Sequence, residues 1–319
     1  MPQIGYHASH EQFAPSRLID LVQQAEAAGF DAAMCSDHFH PWSDAQGQSG
    51  FAWSWLGAAL QATSLPMGTV CAPGQRYHPA IIAQAAATLG EMYPGRFWVA
   101  LGSGELLNEH ITGARWPSKA ERNQRLLESA EVMRALWRGE TVSHRGAITV
   151  DQARLYTRPQ TPPLIVGAAL TPETAGWMGG WADALITVSH PIDELRGVID
   201  AFRAGGGQGK PIHLQVQLSY APTQEEALAA AHTAWKTNIF SSGVLADLRM
   251  PEDFDAAAEF VAPQDMLGPV HVSPRLEDHV ARIREYAELG FDGIFLHSVH
   301  PDQERFIADF GAAVPEMRR

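Results

Sequence analysis

The strongest constraint on how this chain can fold is a repeated alternation. Short strands that are apolar on both faces are each followed by an amphipathic helix. Phe97-Trp98-Val99-Ala100-Leu101 is the clearest strand, bounded by Pro94-Gly95 before it and Gly102-Ser103-Gly104 after it. The same pattern predicts strands at 3–7, 30–36, 67–71, 164–167, 184–188, 213–218 and 293–297. Helices are predicted at 15–28, 53–63, 79–92, 119–137, 172–179, 192–204, 224–236, 275–289 and 302–310. In the first, Leu18, Leu21, Val22 and Ala25 recur at helical spacing and Gly29 ends the run. A strand that is apolar on both faces needs cover on both, which implies a parallel sheet wrapped by helices. About eight such units in 319 residues favour a closed (β/α)8 TIM barrel over an open sheet. Residues 141–150 read as a hairpin around Arg145-Gly146. Residues 238–264 fit no strand–helix unit and read as an insertion before the last barrel unit. No linker-like stretch divides the chain, so a single domain over 1–319 is expected.

Composition narrows the partners. Lys and Arg total 23 against 36 Asp and Glu, a formal charge of −13. That field repels phosphate and argues against nucleic acid or an anionic membrane surface. The two cysteines, Cys35 and Cys71, close apolar runs and read as buried thiols without metal-ligand spacing. The N-terminal residues show no signal-peptide pattern and no run reaches the ~20 apolar residues of a membrane span. A soluble, cytoplasmic protein acting on a small molecule is expected.

In a barrel the chemistry sits at the C-terminal ends of the strands. The run ending at Cys35 opens there into Ser36-Asp37-His38-Phe39-His40-Pro41-Trp42, an acid, two imidazoles and an indole. His-x-His admits a metal-dependent hydrolase built on His38 and His40 with a distant histidine such as His190 or His297. The same group admits proton transfer by His38 beside a carboxylate. The third alternative is a rim without chemistry. A second rim loop, Gly102-Ser103-Gly104-Glu105, allows close backbone approach to a ligand and puts an acid at the mouth. A third, Gly167-Ala168-Ala169, is built of small residues. Two such loops on one rim suggest a phosphorylated cofactor. Trp42, Trp53 and Trp55 could wall a planar ring or simply pack, and Arg76 could serve a phosphate or a salt bridge.

These motifs together resemble a known family. The chain is similar to the luciferase-like flavin oxidoreductases, close to the deazaflavin-dependent glucose-6-phosphate dehydrogenases and to a sister group of flavin oxidoreductases that do not use deazaflavin. The resemblance rests on Ile4-Gly5-Tyr6-His7-Ala8-Ser9, Ser36 through Trp42, Gly68-Thr69-Val70, Arg76 through Gln84, Gly102 through Glu109 and Gly290-Phe291-Asp292. It implies a barrel of bacterial luciferase type with a flavin-type ring across its mouth. His38 would be the active-site base, Glu105 the proton donor and Trp42 the indole beside the reacting centre. Asp37, Thr69, Val70, Ser103, Gly104, Asn108, Gly167, Ala168 and Ala169 would surround the cofactor, and Glu11, Trp42 and His190 the substrate. A non-proline cis peptide is implied at Thr69-Val70. No metal is implied.

The departures from the family pattern matter. The cations that hold a sugar phosphate in those dehydrogenases correspond to Pro191, Leu245 and Pro269 here, so glucose 6-phosphate is not the expected substrate. Ala168-Ala169-Leu170 replaces a glycine-rich run, which favours FMN over the 8-hydroxy-5-deazaflavin coenzyme. With FMN the expected activity is a monooxygenase or dehydrogenase, served by a flavin reductase as partner. With deazaflavin it is a hydride-transfer dehydrogenase. A flavin-binding protein without turnover is the remaining alternative. The resemblance also implies a homodimer.

Overall fold

The computed structural model describes residues 1–318. Its strands are β1 (Gln3–Ala8), β2 (Ala32–Cys35), β3 (Met67–Cys71), β4 (Phe97–Leu101), β5 (Val142–Arg145), β6 (Thr149–Ala153), β7 (Leu164–Ala168), β8 (Ala184–Val188), β9 (Ile212–Tyr220), β10 (His271–Ser273) and β11 (Gly293–Ser298). Parallel pairing runs β9-β11-β1-β2-β3-β4-β7-β8 and closes where β8 pairs with β9. Eight strands therefore form a closed barrel with helices between them. β10 adds to the end of β9, and β5 and β6 form the separate antiparallel hairpin that the sequence indicated.

Alternate residues of each strand face alternate sides. Ala32, Met34, Trp98, Ala100, Ala184, Ile186 and Phe295 gather into one cluster inside the barrel. Their neighbours Ala33, Cys35, Val99, Leu101 and Leu185 join the larger core between barrel and helices. This is why both faces of each strand had to be apolar. The large Trp98 indole fits inside only because Gly68 faces it. A Cβ on Gly68 would lie 2.1 Å from the indole carbons.

Two expectations need correction. All peptide bonds among the described residues are trans, so the cis bond implied at Thr69-Val70 is not present. Both residues sit in an unbroken parallel ladder, Thr69 opposite Val99 and Val70 opposite Ala100, which takes regular extended backbone. The last helix runs Gln303–Met317, well past residue 310, because Val314 and Met317 continue the buried stripe of Phe306, Ile307 and Phe310. Pro315 removes one donor near the end of that helix and does not break it. The segment 238–264, read as an insertion, contributes no strand to the barrel. It carries helices Ser242–Asp247 and Pro251–Ala257, and its Phe254 is fully buried. No helix among the described residues is long and apolar enough to cross a membrane.

Candidate active site

The loops after β1 and β2 are joined by a buried carboxylate. Ser36 Oγ donates to Glu11 Oε2 at 2.6 Å and Ser9 Oγ donates to the same oxygen at 2.9 Å. The other oxygen, Oε1, lies 3.2 Å from His38 Nδ1. Burial pushes the Glu11 carboxyl up, but His38 and the Ser36 hydroxyl outweigh it and hold it below its ordinary value. Glu11 is thus an anion aimed at the far side of the imidazole, which leaves His38 Nε2 for a ligand. Trp42 meets the His38 ring edge-to-face at 5.0 Å and is itself backed by Phe254 at 5.3 Å.

Across the mouth, Gly104 takes φ +79°, a left-handed conformation suited to glycine, and turns the chain so that Glu105 follows at the rim. The Glu105 carboxyl is pushed up to about 7, chiefly by burial, with Glu109 and Glu11 adding and His38 opposing. A carboxyl of that kind holds or releases a proton near neutral pH. Asn108 locks this loop to the His38 loop, because its Oδ1 accepts the Phe39 N–H at 2.8 Å and the His40 N–H at 3.3 Å. Asn108 is buried, and that oxygen serves the protein rather than a cofactor.

Behind the rim lies a buried ion network. Arg76 binds Glu109 through its backbone N–H at 2.6 Å and through Nε at 3.4 Å. Its Nη2 donates to the Asp37 carbonyl at 2.9 Å, and Tyr77 Oη donates to Asp37 Oδ1 at 2.8 Å. Of the two readings open for Arg76, the geometry supports the salt bridge. Asp37 is buried in the same network and anchors the loop from beneath.

The mouth has two unlike halves. Val70 and Ala168 extend the apolar interior cluster upward, over Met34, Ala100 and Ile186. On the other side His7 and His297 stack with centroids 4.3 Å apart. His297 Nε2 meets Gln12 Oε1 at 2.9 Å and Trp235 packs edge-on at 5.1 Å. Burial pushes His7 well below its ordinary value, with mutual repulsion opposing a charge on both His7 and His297, and pushes His297 down to about 3. Both rings are therefore neutral and offer hydrogen bonds without charge. Gln12, Trp235 and Phe254 were not singled out from sequence. Nothing in the sequence distinguishes Phe254 from Phe260, which is 90% exposed.

Several other expected site residues make their contacts away from His38. Thr69 is buried on the outer face of β3 and its Oγ1 donates to the Cys35 carbonyl at 3.1 Å. Gly167 also faces outward, since a Cβ there would meet Met178 at 2.8 Å. Ala169 buries its methyl in the outer core and gives its N–H to the Ile186 carbonyl. Of these two alanines only Ala168 packs toward the mouth, and Leu170 beyond them is exposed. His190 is 36% exposed in its side chain and lies, in the loop after β8, 3.9 Å from Glu194 on the helix that follows. His40 Nδ1 meets the Leu107 carbonyl at 2.9 Å and the ring stacks on His110, so His38 and His40 do not converge on one ligand. Among the described residues no group of three His, Cys, Asp or Glu is arranged to hold a metal ion. Trp53 and Trp55 are packing residues, against Phe97 and His10 respectively. Ser103 Oγ accepts a hydrogen bond from Lys119 Nζ at 2.7 Å.

The luciferase-like monooxygenase family description matches residues 1–293. The chain belongs to that family. As a luciferase-like barrel protein it is an oxidoreductase, as its motifs implied. An F420-dependent glucose-6-phosphate dehydrogenase of Nakamurella multipartita is 36% identical over 329 residues, spanning 99% of this chain and 96% of that one. Among solved structures, an F420-dependent secondary alcohol dehydrogenase in complex with an F420-acetone adduct superposes with a TM-score of 0.93. It is 32% identical, with all of both chains covered. The coenzyme F420-dependent tetrahydromethanopterin reductase from Methanopyrus kandleri shares the fold, with a TM-score of 0.77 at 19% identity and 97% of each chain covered.

Proposed function

We propose that this luciferase-like protein is a dehydrogenase that uses the 8-hydroxy-5-deazaflavin coenzyme F420 to interconvert a small uncharged secondary alcohol and its ketone. The residues present fit such a cofactor. The apolar half of the mouth suits a flat ring, and the Ser103-Gly104 turn suits a phosphate. Both the 36%-identical relative and the alcohol dehydrogenase that superposes along the whole chain are F420-dependent enzymes. The chemistry that a deazaflavin would supply there is reversible hydride transfer with the carbinol carbon.

The protein's own part is proton handling and orientation. His38 takes the hydroxyl proton at Nε2 as the carbonyl forms, while Glu11 steadies the imidazole from Nδ1. Glu105 holds a proton at its carboxyl on the opposite side. Trp42, backed by Phe254, walls the pocket and excludes water. The observation that carries the substrate class is that, among the described residues, no cation meets the imidazoles of the polar half. The groups that meet His38, His7 and His297 are Glu11, Trp42, Gln12, Gln215 and Trp235. None is positively charged, and a phosphate placed there would face the Glu11 carboxylate uncompensated.

The test is a turnover assay that follows loss of deazaflavin fluorescence with simple secondary alcohols and, separately, with glucose 6-phosphate. Alcohols should be oxidised and the sugar phosphate ignored. His38→Asn should lower kcat by about 10²–10⁴-fold, the usual contribution of a positioned acid–base group. Efficient turnover of glucose 6-phosphate, or oxygen consumption with reduced FMN in place of deazaflavin reduction, would sink this reading.

A further inference from the structure

We infer that Lys119 is the cation that holds the anionic side chain of the cofactor where it leaves the barrel mouth, with Ser103 as its hydrogen-bonding partner. The inference rests on the deazaflavin reading above and adds a residue to it. The chain has only three lysines, at 119, 210 and 236, against a formal charge of −13. Lys210 is tied to the Gly179 carbonyl at 2.7 Å, away from the rim loops. Lys119 instead brings its amine to the loop after β4, 2.7 Å from Ser103 Oγ, beside the left-handed Gly104.

Lys119 begins the long helix Lys119–Arg138, and Arg122 follows one turn later. Arg122 is 8% exposed, lies over the Trp116 ring at 4.4 Å and leaves its Nε buried without a partner. It shares a cleft beside the loop with Ser103, Trp116 and Arg125. Among the described residues no carboxylate pairs with Lys119. Glu173, on the helix after β7, is near enough to favour its charge, while burial and Arg122 disfavour it. Lys119, Arg122 and a hydroxyl thus stand at one corner of an acidic protein, while the carboxylates beside them, Glu109 and Asp247, are already engaged by Arg76 and Trp116. Charge-assisted hydrogen bonds suit Lys119 and Ser103 to a phosphate or carboxylate oxygen. The fit is to a phosphodiester or carboxylate tail attached to a ring seated on Val70 and Ala168.

The experiment compares two ligands by fluorescence titration, without turnover. One is the complete deazaflavin coenzyme with its phosphate and carboxylates. The other is the deazaflavin riboside that lacks them. Lys119→Ala should weaken the complete coenzyme about ten- to a hundredfold, the worth of one hydrogen bond to a charged group, and leave the riboside within about twofold. Lys119→Arg should restore most of the loss, and added salt should narrow the difference between wild type and Lys119→Ala. Riboside binding also reports that each variant is folded. Equal effects on the two ligands, or no effect on either, would overturn the role of Lys119 while leaving the deazaflavin reading intact. Failure of the wild-type protein to bind either ligand would overturn the cofactor reading, and this assignment with it.

Discussion

Replacing Glu105 with glutamine should make the protein more stable at alkaline pH while removing its rim proton donor. In the folded chain the Glu105 carboxyl is pushed from 4.5 to about 7, with burial the largest cause. The unfolded chain titrates near the ordinary value. Between those two values the folded state keeps a proton that the unfolded state has lost, so this group lowers stability as pH rises through the window. Below the window both states are neutral and no penalty exists. Above it the folded chain carries the full cost of a buried charge. Each tenfold in proton affinity is worth ~1.4 kcal/mol, so the penalty reaches roughly 3 kcal/mol. Glutamine keeps the shape and removes the titration. The assay is denaturant unfolding of wild type and Glu105→Gln at about pH 4 and about pH 8, where other titrating groups cancel in the difference. The two proteins should match at the lower pH, and the variant should gain at the higher. The same offset at both pH values, or a variant less stable at the higher one, would refute the burial argument.

Two further substitutions probe the scaffold. Gly68→Ala places a methyl 2.1 Å from the Trp98 indole and should cost about 1–3 kcal/mol by overpacking, read as a drop in Tm; an unchanged Tm would mean the barrel interior has slack. Arg76→Met leaves the Asp37 and Glu109 carboxylates buried without their cation. It should cost about 3–5 kcal/mol in denaturant unfolding, with part recovered when Glu109→Gln is added, and simple additivity of the two changes would contradict the network.

The barrel was legible because its constraint is local. Each strand must satisfy two apolar environments, and that requirement appears in every run from Ile4 to Leu296. The His38 loop was legible for a related reason, since polar groups at the end of a buried strand stand out. What was not legible depends on facing or on distance along the chain. Thr69 and Val70 are adjacent, yet only Val70 faces the mouth; their family resemblance covered both and could not assign the sides. Arg76, Asp37 and Glu109 gave no sign of mutual pairing, because 39 and 33 residues separate Arg76 from its partners. Phe254 and Trp235 shape the pocket from segments with no distinctive pattern. The neutral state of His7 and His297 comes from their burial together, and neither sequence neighbourhood carries that information.

The seam between β1 and β11 has a consequence for how the protein comes to exist. His7 belongs to the first barrel strand and His297 to the last, and the two rings meet only once that seam closes. The apolar half of the mouth, from β2 to β8, is complete much earlier. A nascent or truncated chain ending before β11 therefore has material for a ring-binding wall but no polar floor opposite it. Such a chain could capture a flat apolar ligand and still lack half of its pocket. Because β11 pairs with both β1 and β9, loss of the last strand removes two seams of the barrel together with the polar side of the mouth at His297.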